Sequence, residues 1–132
     1  MAIQTLAVLP QEFTIYGLDP AAPIPAAVTQ SKLYFIGKTE DQLSIVVPST
    51  VKLDAEDIDE NWRALELLGP LELSMVGIMA KIGSVLAAAK ISIFVVSTFD
   101  TDFFLVKGQK LQEAMSALRK AGYQVQTPGI DP

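Results

Sequence analysis

Apolar and polar residues alternate in two stretches of this chain, QEFTIYGL from Gln11 and LELSMVGI from Leu71. Alternation with a period of two predicts a half-buried β-strand in each stretch. The glycines of the two stretches, Gly17 and Gly77, lie 60 positions apart, and KLYFIGKTEDQLSIVV aligns with SIFVVSTFDTDFFLVK at the same offset. Because a fixed offset with a matched order of residue classes is typical of an internal repeat, the pattern predicts two copies of one structural unit.

The second copy predicts the element order β-α-β-β-α-β. A strand over 71–77 precedes a helix whose apolar residues recur at helical spacing. Those residues are Ile78, Ile82, Val85, Leu86 and Ala89. Two further strands are predicted over 91–98 and 103–107, on either side of the turn sequence FDTD. A second helix begins near Gln109 and is followed by a last strand over 123–126.

The first copy predicts strands in similar places, over 5–18, 33–36, 43–47 and 62–68. Its counterpart of the first helix is DPAAPIPAA, in which three prolines exclude a regular helix. The acidic run 54–60 is compatible with one or two helical turns. A solvated surface is favoured there over a calcium site, because the glycine and the distal glutamate of an EF-hand loop are missing.

The order of elements predicts an α+β fold of ferredoxin-like βαββαβ units in tandem, with the first repeat lacking its first helix. We predict a degenerate repeat over residues 1–68 and a complete repeat over 69–132. Each unit of this kind has one sheet with helices on a single face, so the other face or the edge strand needs cover. Joining sheets, within the chain or between chains, would provide that cover.

Composition excludes several classes of function. The formal net charge is −5 and the ten basic residues are scattered, which argues against a nucleic-acid partner. The 132 residues contain no histidine and no cysteine, so the commonest bases, nucleophiles and metal ligands are missing. We therefore predict a protein that is not an enzyme, with no metal site and no cofactor. The absence of cysteine also fits a cytoplasmic protein.

Hydrophobic residues make up 50% of the chain. Two explanations stay open, a well-filled α/β core or an apolar surface that another subunit covers. No uninterrupted apolar run reaches the ~18 residues of a membrane-spanning helix. The start of the chain, MAIQTLAVLPQEF, does not have the pattern of a signal peptide. The sequence thus predicts no membrane association.

Two places along the second copy carry candidate chemistry. Gly77 lies between a predicted strand and a helix without a Ser, Thr, Asp or Asn cap, so the first N–H groups of that helix could bind a ligand carboxylate. The alternative is a tight turn whose donors bind water or a neighbouring loop. The segment Thr98–Asp102 offers two carboxylates and two hydroxyls that could bind a ligand ammonium, although Asp and Thr are also ordinary turn residues.

The stretch from Gly69 to Val125 resembles an ACT domain, the small amino-acid-binding regulatory module of metabolic enzymes. Its stretches SMVGIMA and ISIFVVSTFDTDFFLVK look like those of the short stand-alone tandem-ACT proteins related to the cytosolic arginine sensors of the TOR pathway. This resemblance covers nearly the whole chain, and the first repeat without its helix is part of it. Those sensors have two such tandems in one chain, whereas this chain has one.

The resemblance implies a ligand site where the loop after the first strand meets the strand end of a neighbouring ACT unit. The loop residues would be Met75, Val76, Gly77 and Ile78, and the strand-end residues would be Ser97, Thr98, Phe99, Asp100 and Asp102. The arginine sensors carry an acid at the position of Asp102. The sixty-residue offset pairs Asp102 with the neutral Gln42 of the first repeat.

The function implied is that of a non-enzymatic, amino-acid-binding regulatory protein, a sensor that holds its ligand at an ACT–ACT interface. Because only one tandem is present, a homodimer is the expected way to complete such an interface. The alternative is a structural or protein-interaction module that has lost ligand binding. Neither the amino acid nor the protein partner follows from the resemblance.

Overall fold

A computed structural model of the protein describes residues 4–68 and 77–128. Its strands are β1 (Thr5–Leu18), β2 (Phe35–Lys38), β3 (Leu43–Pro48), β4 (Asp57–Leu68), β5 (Phe94–Ser97), β6 (Asp102–Lys107) and β7 (Gln124–Gln126). Its helices are α1 (Ala26–Thr29), α2 (Ile78–Ala88) and α3 (Leu111–Lys120), with a 3-10 turn over Gly108–Lys110 before α3. The chain divides into two compact units, which we call the first unit (11–62) and the second unit (1–10 with 63–132).

The first unit is a sheet with the strand order β2-β3-β1-β4. Strands β1 and β3 pair antiparallel from Phe13 opposite Pro48 to Leu18 opposite Leu43, and β2 pairs antiparallel with β3. Consecutive residues of β1 and β3 are buried, among them Phe13 with Thr14 and Ile45 with Val46 and Val47, so burial does not follow the strict alternation that a half-buried strand predicts. The core of the unit consists of Tyr16, Val28, Leu43, Ile45 and Val47.

Two hydroxyl contacts satisfy the polar groups of this core. Thr14 is fully buried and its Oγ1 lies 2.7 Å from Ser49 Oγ, within hydrogen-bond distance. The Tyr16 hydroxyl donates to the carbonyl of Val51 at 3.1 Å. A buried hydroxyl without a partner would destabilise the fold, so these contacts allow Thr14 and Tyr16 to lie in the core.

The loop between β1 and β2 contains one turn of helix and no more. The helix α1 has 4 residues and begins directly after Pro25, the last of the three prolines. Proline lacks the N–H that a helix interior needs, so a helix can begin only after the proline series ends. The prediction that the first repeat lacks a regular first helix is therefore confirmed. The helix at the matching place in the second unit, α2, has 11 residues.

The second unit has the strand order β7-β1-β4-β6-β5. Strands β5 and β6 form an antiparallel hairpin, and the start of β1 pairs parallel with β7. Helix α3 is amphipathic, with Leu111, Ala114, Met115 and Leu118 buried at helical spacing. These residues pack in one core with Ile82 and Leu86 of α2 and with Phe104 and Val106 of β6. The α+β, ferredoxin-like fold predicted from the sequence is thus confirmed.

The structure differs from the sequence prediction around β4. Residues 54–56 are irregular and this strand begins at Asp57, so the helical turns considered for the acidic run 54–60 are wrong. Residues 57–61 are all exposed and offer no apolar stripe that a helix could bury, whereas β1 lies beside β4 in the sheet and can pair with its backbone. The strand predicted over 71–77 lies outside the described residues except for Gly77. The boundaries of the compact units fall after Pro10 and Trp62, and the division of the repeats after Leu68 stays a prediction.

None of the helices in the described ranges has the length and apolar character that crossing a bilayer requires.

Candidate functional site

The turn of the β5–β6 hairpin, residues 98–101, is held by its own threonine. The backbone N–H of Thr98 donates to the carbonyl of Thr101 at 2.8 Å. The N–H groups of Asp100 and Thr101 both approach Thr98 Oγ1 at 3.2 Å. The Thr98 hydroxyl therefore organises the turn, which is the ordinary role of threonine at such a position.

Ser97 and Asp102 face each other at the base of this turn, where β5 and β6 pair. Ser97 Oγ donates to Asp102 Oδ1 at 2.6 Å, a short distance typical of a hydroxyl bound to a carboxylate. Asp102 is half-buried, and in the described parts of the chain it forms no ion pair with a lysine or arginine. Among the described residues, its second oxygen thus has no cationic partner.

The turn is anchored to the neighbouring strand by Thr101. Its Oγ1 donates to the carbonyl of Leu67 in β4. This residue was not among the site residues predicted from the sequence, where it was only one of two hydroxyls in a turn. The sequence could have indicated this contact, because Thr101 directly precedes β6. A hydroxyl at the start of a strand can reach the backbone of the neighbouring strand. Thr101 therefore fixes the position of the neighbouring Asp102.

Phe99 and Asp100 form the tip of the hairpin. The Phe99 side chain is 81% exposed, more than any other large apolar side chain among the described residues. Asp100 is also exposed, and its carboxylate has no hydrogen-bond partner in residues 4–68 and 77–128. The tip thus presents an aromatic ring and a carboxylate to solvent without using either for the fold.

Gly77 precedes helix α2 in a left-handed conformation, with φ 78° and ψ 2°. It is the N-cap residue, no side chain caps the helix, and the first turn contains no acidic residue. The first helical hydrogen bond runs from the N–H of Lys81 to the carbonyl of Gly77 at 2.9 Å. The N–H groups of residues 78–80 therefore lack helical acceptors and are directed along the helix axis, as at any uncapped N-terminus.

The other loop residues predicted for the site are only partly described. Ile78 is half-buried and packs against the core of the second unit. Met75 and Val76 lie outside the described residues. Ser97 and Asp102 are joined by a hydrogen bond, but within the described ranges no hydrogen bond joins Gly77 or Ile78 to the hairpin turn. That all these residues form one ligand site stays a prediction.

Residues 57–120 match the family model of the ACT domain. The match begins with β4 and extends through α2, the β5–β6 hairpin and α3, so it contains both Gly77 and Asp102. Together with the ferredoxin-like fold of the second unit, it supports the ACT domain family. The narrower resemblance to the arginine sensors stays a prediction. No curated protein sequence matches this chain.

Solved structures of the same fold include one regulatory subunit and one whole enzyme. Protein Atu0741 from Agrobacterium tumefaciens is 29% identical, with a TM-score of 0.89 over 100% of this chain and 98% of its own. The regulatory subunit of aspartate kinase from Thermus thermophilus is 15% identical, with a TM-score of 0.65 over 92% of this chain and 99% of its own. Aspartate kinase from Synechocystis is 15% identical, with a TM-score of 0.70 over 98% of this chain and 28% of its own.

The β2–β3 hairpin of the first unit repeats the turn of the ACT-matching region with the same hydrogen bonds. The N–H of Thr39 donates to the carbonyl of Gln42 at 2.9 Å. The N–H groups of Asp41 and Gln42 approach Thr39 Oγ1 at 3.2 Å. This pattern is the one that Thr98 forms in the β5–β6 hairpin, so the two turns are structural copies.

The copies correct the register that the sequence predicted. Lys38 pairs with Leu43 at the base of the first turn, as Ser97 pairs with Asp102 at the base of the second. The structural offset of the hairpins is therefore 59 residues, and the pairing of Gln42 with Asp102 is wrong by one position. An alignment by residue class cannot distinguish neighbouring offsets where both hairpins alternate in the same way. The counterpart of Asp102 is the buried Leu43.

Gly17 and Gly77 also serve different purposes. Gly17 lies in β1 opposite Ser44, and a Cβ there would stand 2.9 Å from Gln42 Nε2 and 3.2 Å from Asp57 Cβ. A Cβ on Gly77 would meet no described atom within 4 Å. A glycine is needed at position 17 because two side chains approach its backbone closely. At position 77 a glycine is needed because the backbone φ is positive.

No group of three or more acidic side chains in the described ranges is placed to hold a metal ion. Taken separately, the two places offer groups of opposite preference: the Asp102 carboxylate, bound by Ser97, suits a cation, and the uncapped amide groups at the start of α2 suit an anion. A free amino acid carries both kinds of charge.

Proposed function

We propose that this protein binds a free amino acid and reports its level as a regulatory module, with the ligand held at an ACT–ACT interface between two copies of the chain. The observation that carries the proposal is the Ser97–Asp102 pair. A half-buried carboxylate is oriented by a hydroxyl at 2.6 Å and has no cationic partner among the described residues. A ligand cation would supply that partner through charge-assisted hydrogen bonds.

The ligand carboxylate would bind at the start of α2. The N–H groups of residues 78–80 have no helical acceptor, and the helix dipole favours an anion at this end. Met75 and Val76 would complete the loop beside them. Phe99 and Asp100, both exposed at the hairpin tip, would contact either the ligand or the partner copy.

A regulatory role is favoured over a catalytic one for two reasons. Regulatory subunits of aspartate kinase share the fold of this chain over almost their whole length. The chain also contains no histidine and no cysteine, which leaves few groups for acid–base or nucleophilic chemistry. A cytoplasmic location stays part of the proposal on the ground of cysteine usage alone.

The second candidate is a protein-interaction module that has kept the fold and does not bind an amino acid. The exposure of Phe99 favours it, because an aromatic side chain at the tip of a rigid turn is suited to a protein surface. In that case the hydroxyl of Thr98 and the carboxylate of Asp102 would serve the hairpin alone.

A thermal-shift screen against the twenty amino acids separates the two candidates. A specific ligand at 100 times its Kd should stabilise the protein by about 2.7 kcal/mol. A rise in melting temperature with one amino acid or a few related ones is expected, with sodium chloride of equal ionic strength as the control. If all twenty leave the melting temperature unchanged, the binding function is wrong and the interaction module is favoured.

The proposed interface requires a second copy. We expect light scattering at micromolar concentration to give twice the monomer mass of 14.2 kDa. A monomer under those conditions, with and without ligand, would contradict the homodimer.

A further inference from the structure

We infer that each chain binds one ligand molecule, in the second unit, and that the first unit has closed its own counterpart of the site with the side chains of Asp19 and Gln42. The inference rests on the proposed function and adds its stoichiometry and its location. Three differences between the two units, each involving different atoms, carry it.

The first difference concerns the backbone donors after the first strand of each unit. In the first unit this segment is DPAAPIP, and its three prolines have no N–H. The N–H of Ala21 donates to Asp19 Oδ1 at 2.8 Å, and the N–H of Ala22 donates to the carbonyl of Asp19 at 2.9 Å. Asp19 therefore supplies, from within the chain, the carboxylate that a ligand would bring. In the second unit no side chain of the described residues caps the N–H groups of residues 78–80.

The second difference concerns access to the strand end. The carboxamide of Gln42 lies over the backbone of Gly17, with Nε2 2.9 Å from the place of a Cβ, and the carboxylate of Asp57 lies at 3.3 Å from the same point. The first unit thus covers its own glycine with two side chains. At Gly77, by contrast, no described atom lies within 4 Å of the corresponding point.

The third difference concerns charge at the base of the hairpin. Where the second unit places Ser97 and Asp102, the first unit places Lys38 and Leu43. Leu43 is buried and cannot bind a cation, and the ammonium of Lys38 would repel one. The turns above these pairs have the same hydrogen bonds, so the first unit retains the geometry of the hairpin without its recognition chemistry.

Isothermal titration calorimetry with each of the twenty L-amino acids tests the stoichiometry on the full chain. We expect one molecule bound per chain for the amino acid that gives heat. The double variant Asp19→Ala/Gln42→Ala should keep the parental Kd within about twofold, whereas Asp102→Asn should raise Kd by roughly 10- to 150-fold. Two molecules per chain would overturn the inference and leave the proposed function standing. No heat with any of the twenty would overturn the proposed function itself.

Backbone amide NMR of the parent, titrated with the same amino acids, locates the binding independently of variant folding. The resonances of residues 78–80 should move with ligand, and those of Ala21 and Ala22 should stay in place. Asp19→Ala should shift the Ala21 resonance without ligand, because its acceptor is removed. Ligand-induced shifts of equal size at Ala21 and at residue 79 would show that the first unit is open and would contradict the inference.

Discussion

The β2–β3 and β5–β6 hairpins are built by the same turn and carry different chemistry. In each, a threonine hydroxyl accepts two backbone N–H groups at 3.2 Å and its own N–H closes the turn. The backbone geometry is therefore independent of the residues at the base, which are Lys38 and Leu43 in one hairpin and Ser97 and Asp102 in the other. Because Leu43 performs the structural task at that position, a carboxylate at Asp102 has no structural necessity.

Thr98 and Asp102 have different roles in the β5–β6 hairpin. Thr98 has a counterpart in Thr39 with the same bonds, so its conservation between the hairpins of this chain is explained by the turn alone. Asp102 has no polar counterpart. A feature that one copy of a turn has and the other lacks is a better indicator of function than a feature that both share.

The largest expected effect concerns the residues that hold each hairpin on its core. Phe104 and Ile45 are counterparts in the two hairpins, and both are fully buried. We expect Phe104→Ala to lower the free energy of unfolding by about 3–5 kcal/mol, because truncation removes apolar contact and leaves a cavity. Ile45→Val, which removes a single methylene group from the other hairpin, should cost about 0.5–1.5 kcal/mol.

Urea unfolding, followed by circular dichroism, measures the free energy of unfolding of both variants. Lys52→Ala, at an exposed position, is the control. If Phe104→Ala cost no more than Ile45→Val, the two hairpins would not be anchored in the way that their burial indicates.

The second effect is on binding. Asp102→Asn preserves shape and removes charge, so we expect the fold to remain and the affinity for the amino acid to fall by about 1.5–3 kcal/mol, roughly 10- to 150-fold in Kd. Asp41→Asn on the counterpart turn of the first unit is the matched control, because Asp41 is exposed and its replacement removes the same charge outside the proposed site. Calorimetry that gives equal losses for the two variants would assign the effect to overall charge instead of to Asp102.

Within the described residues, the sequence predicted most strands and helices in their observed order, because periodicity depends on local burial. The β5 and β6 strands, the amphipathic α3 and the proline-interrupted loop all appear where alternation, helical spacing and proline chemistry placed them. β4 was the exception, since the exposed residues 57–61 carry no apolar period and become strand only beside β1. The period of apolar residues along one segment does not show which distant strand that segment will pair with.

The site was harder to predict for a related reason. The sequence indicated Ser97 and Asp102 but paired Asp102 with Gln42, because residue classes match nearly as well at an offset of 60 as at 59. Only the hydrogen bonds of the two turns decide between these registers. Gly17 and Gly77 also meet different needs, close approach at Gly17 and a positive φ at Gly77, and a glycine in the sequence does not say which need it meets.

The third largest effect is expected at Gly77, where the backbone conformation requires a glycine. Gly77→Val places a β-branched residue at φ 78°, and we expect the free energy of unfolding to fall by about 1–3 kcal/mol together with ligand binding. Gly37→Val is the matched control: its Cβ would meet no described atom within 4 Å and its φ is not positive, so the stability should change by less than about 0.5 kcal/mol. Equal melting temperatures for the two variants would mean that the conformation of Gly77 carries no strain for other residues.

The smallest effect concerns Ser97, which positions Asp102 and need not touch the ligand. Ser97→Ala removes the hydrogen bond at 2.6 Å and lets the carboxylate rotate, so we expect a loss of about 0.5–1.5 kcal/mol in binding, roughly 2- to 13-fold in Kd. Stability should be nearly unchanged, since Ser97 is exposed. Ser97→Thr keeps the hydroxyl and should restore the affinity. Because Lys38 is the counterpart of Ser97, Lys38→Ala should leave the affinity at the parental value. A loss in Lys38→Ala equal to that in Ser97→Ala would show that the two hairpins contribute alike, and the difference drawn between them would be wrong.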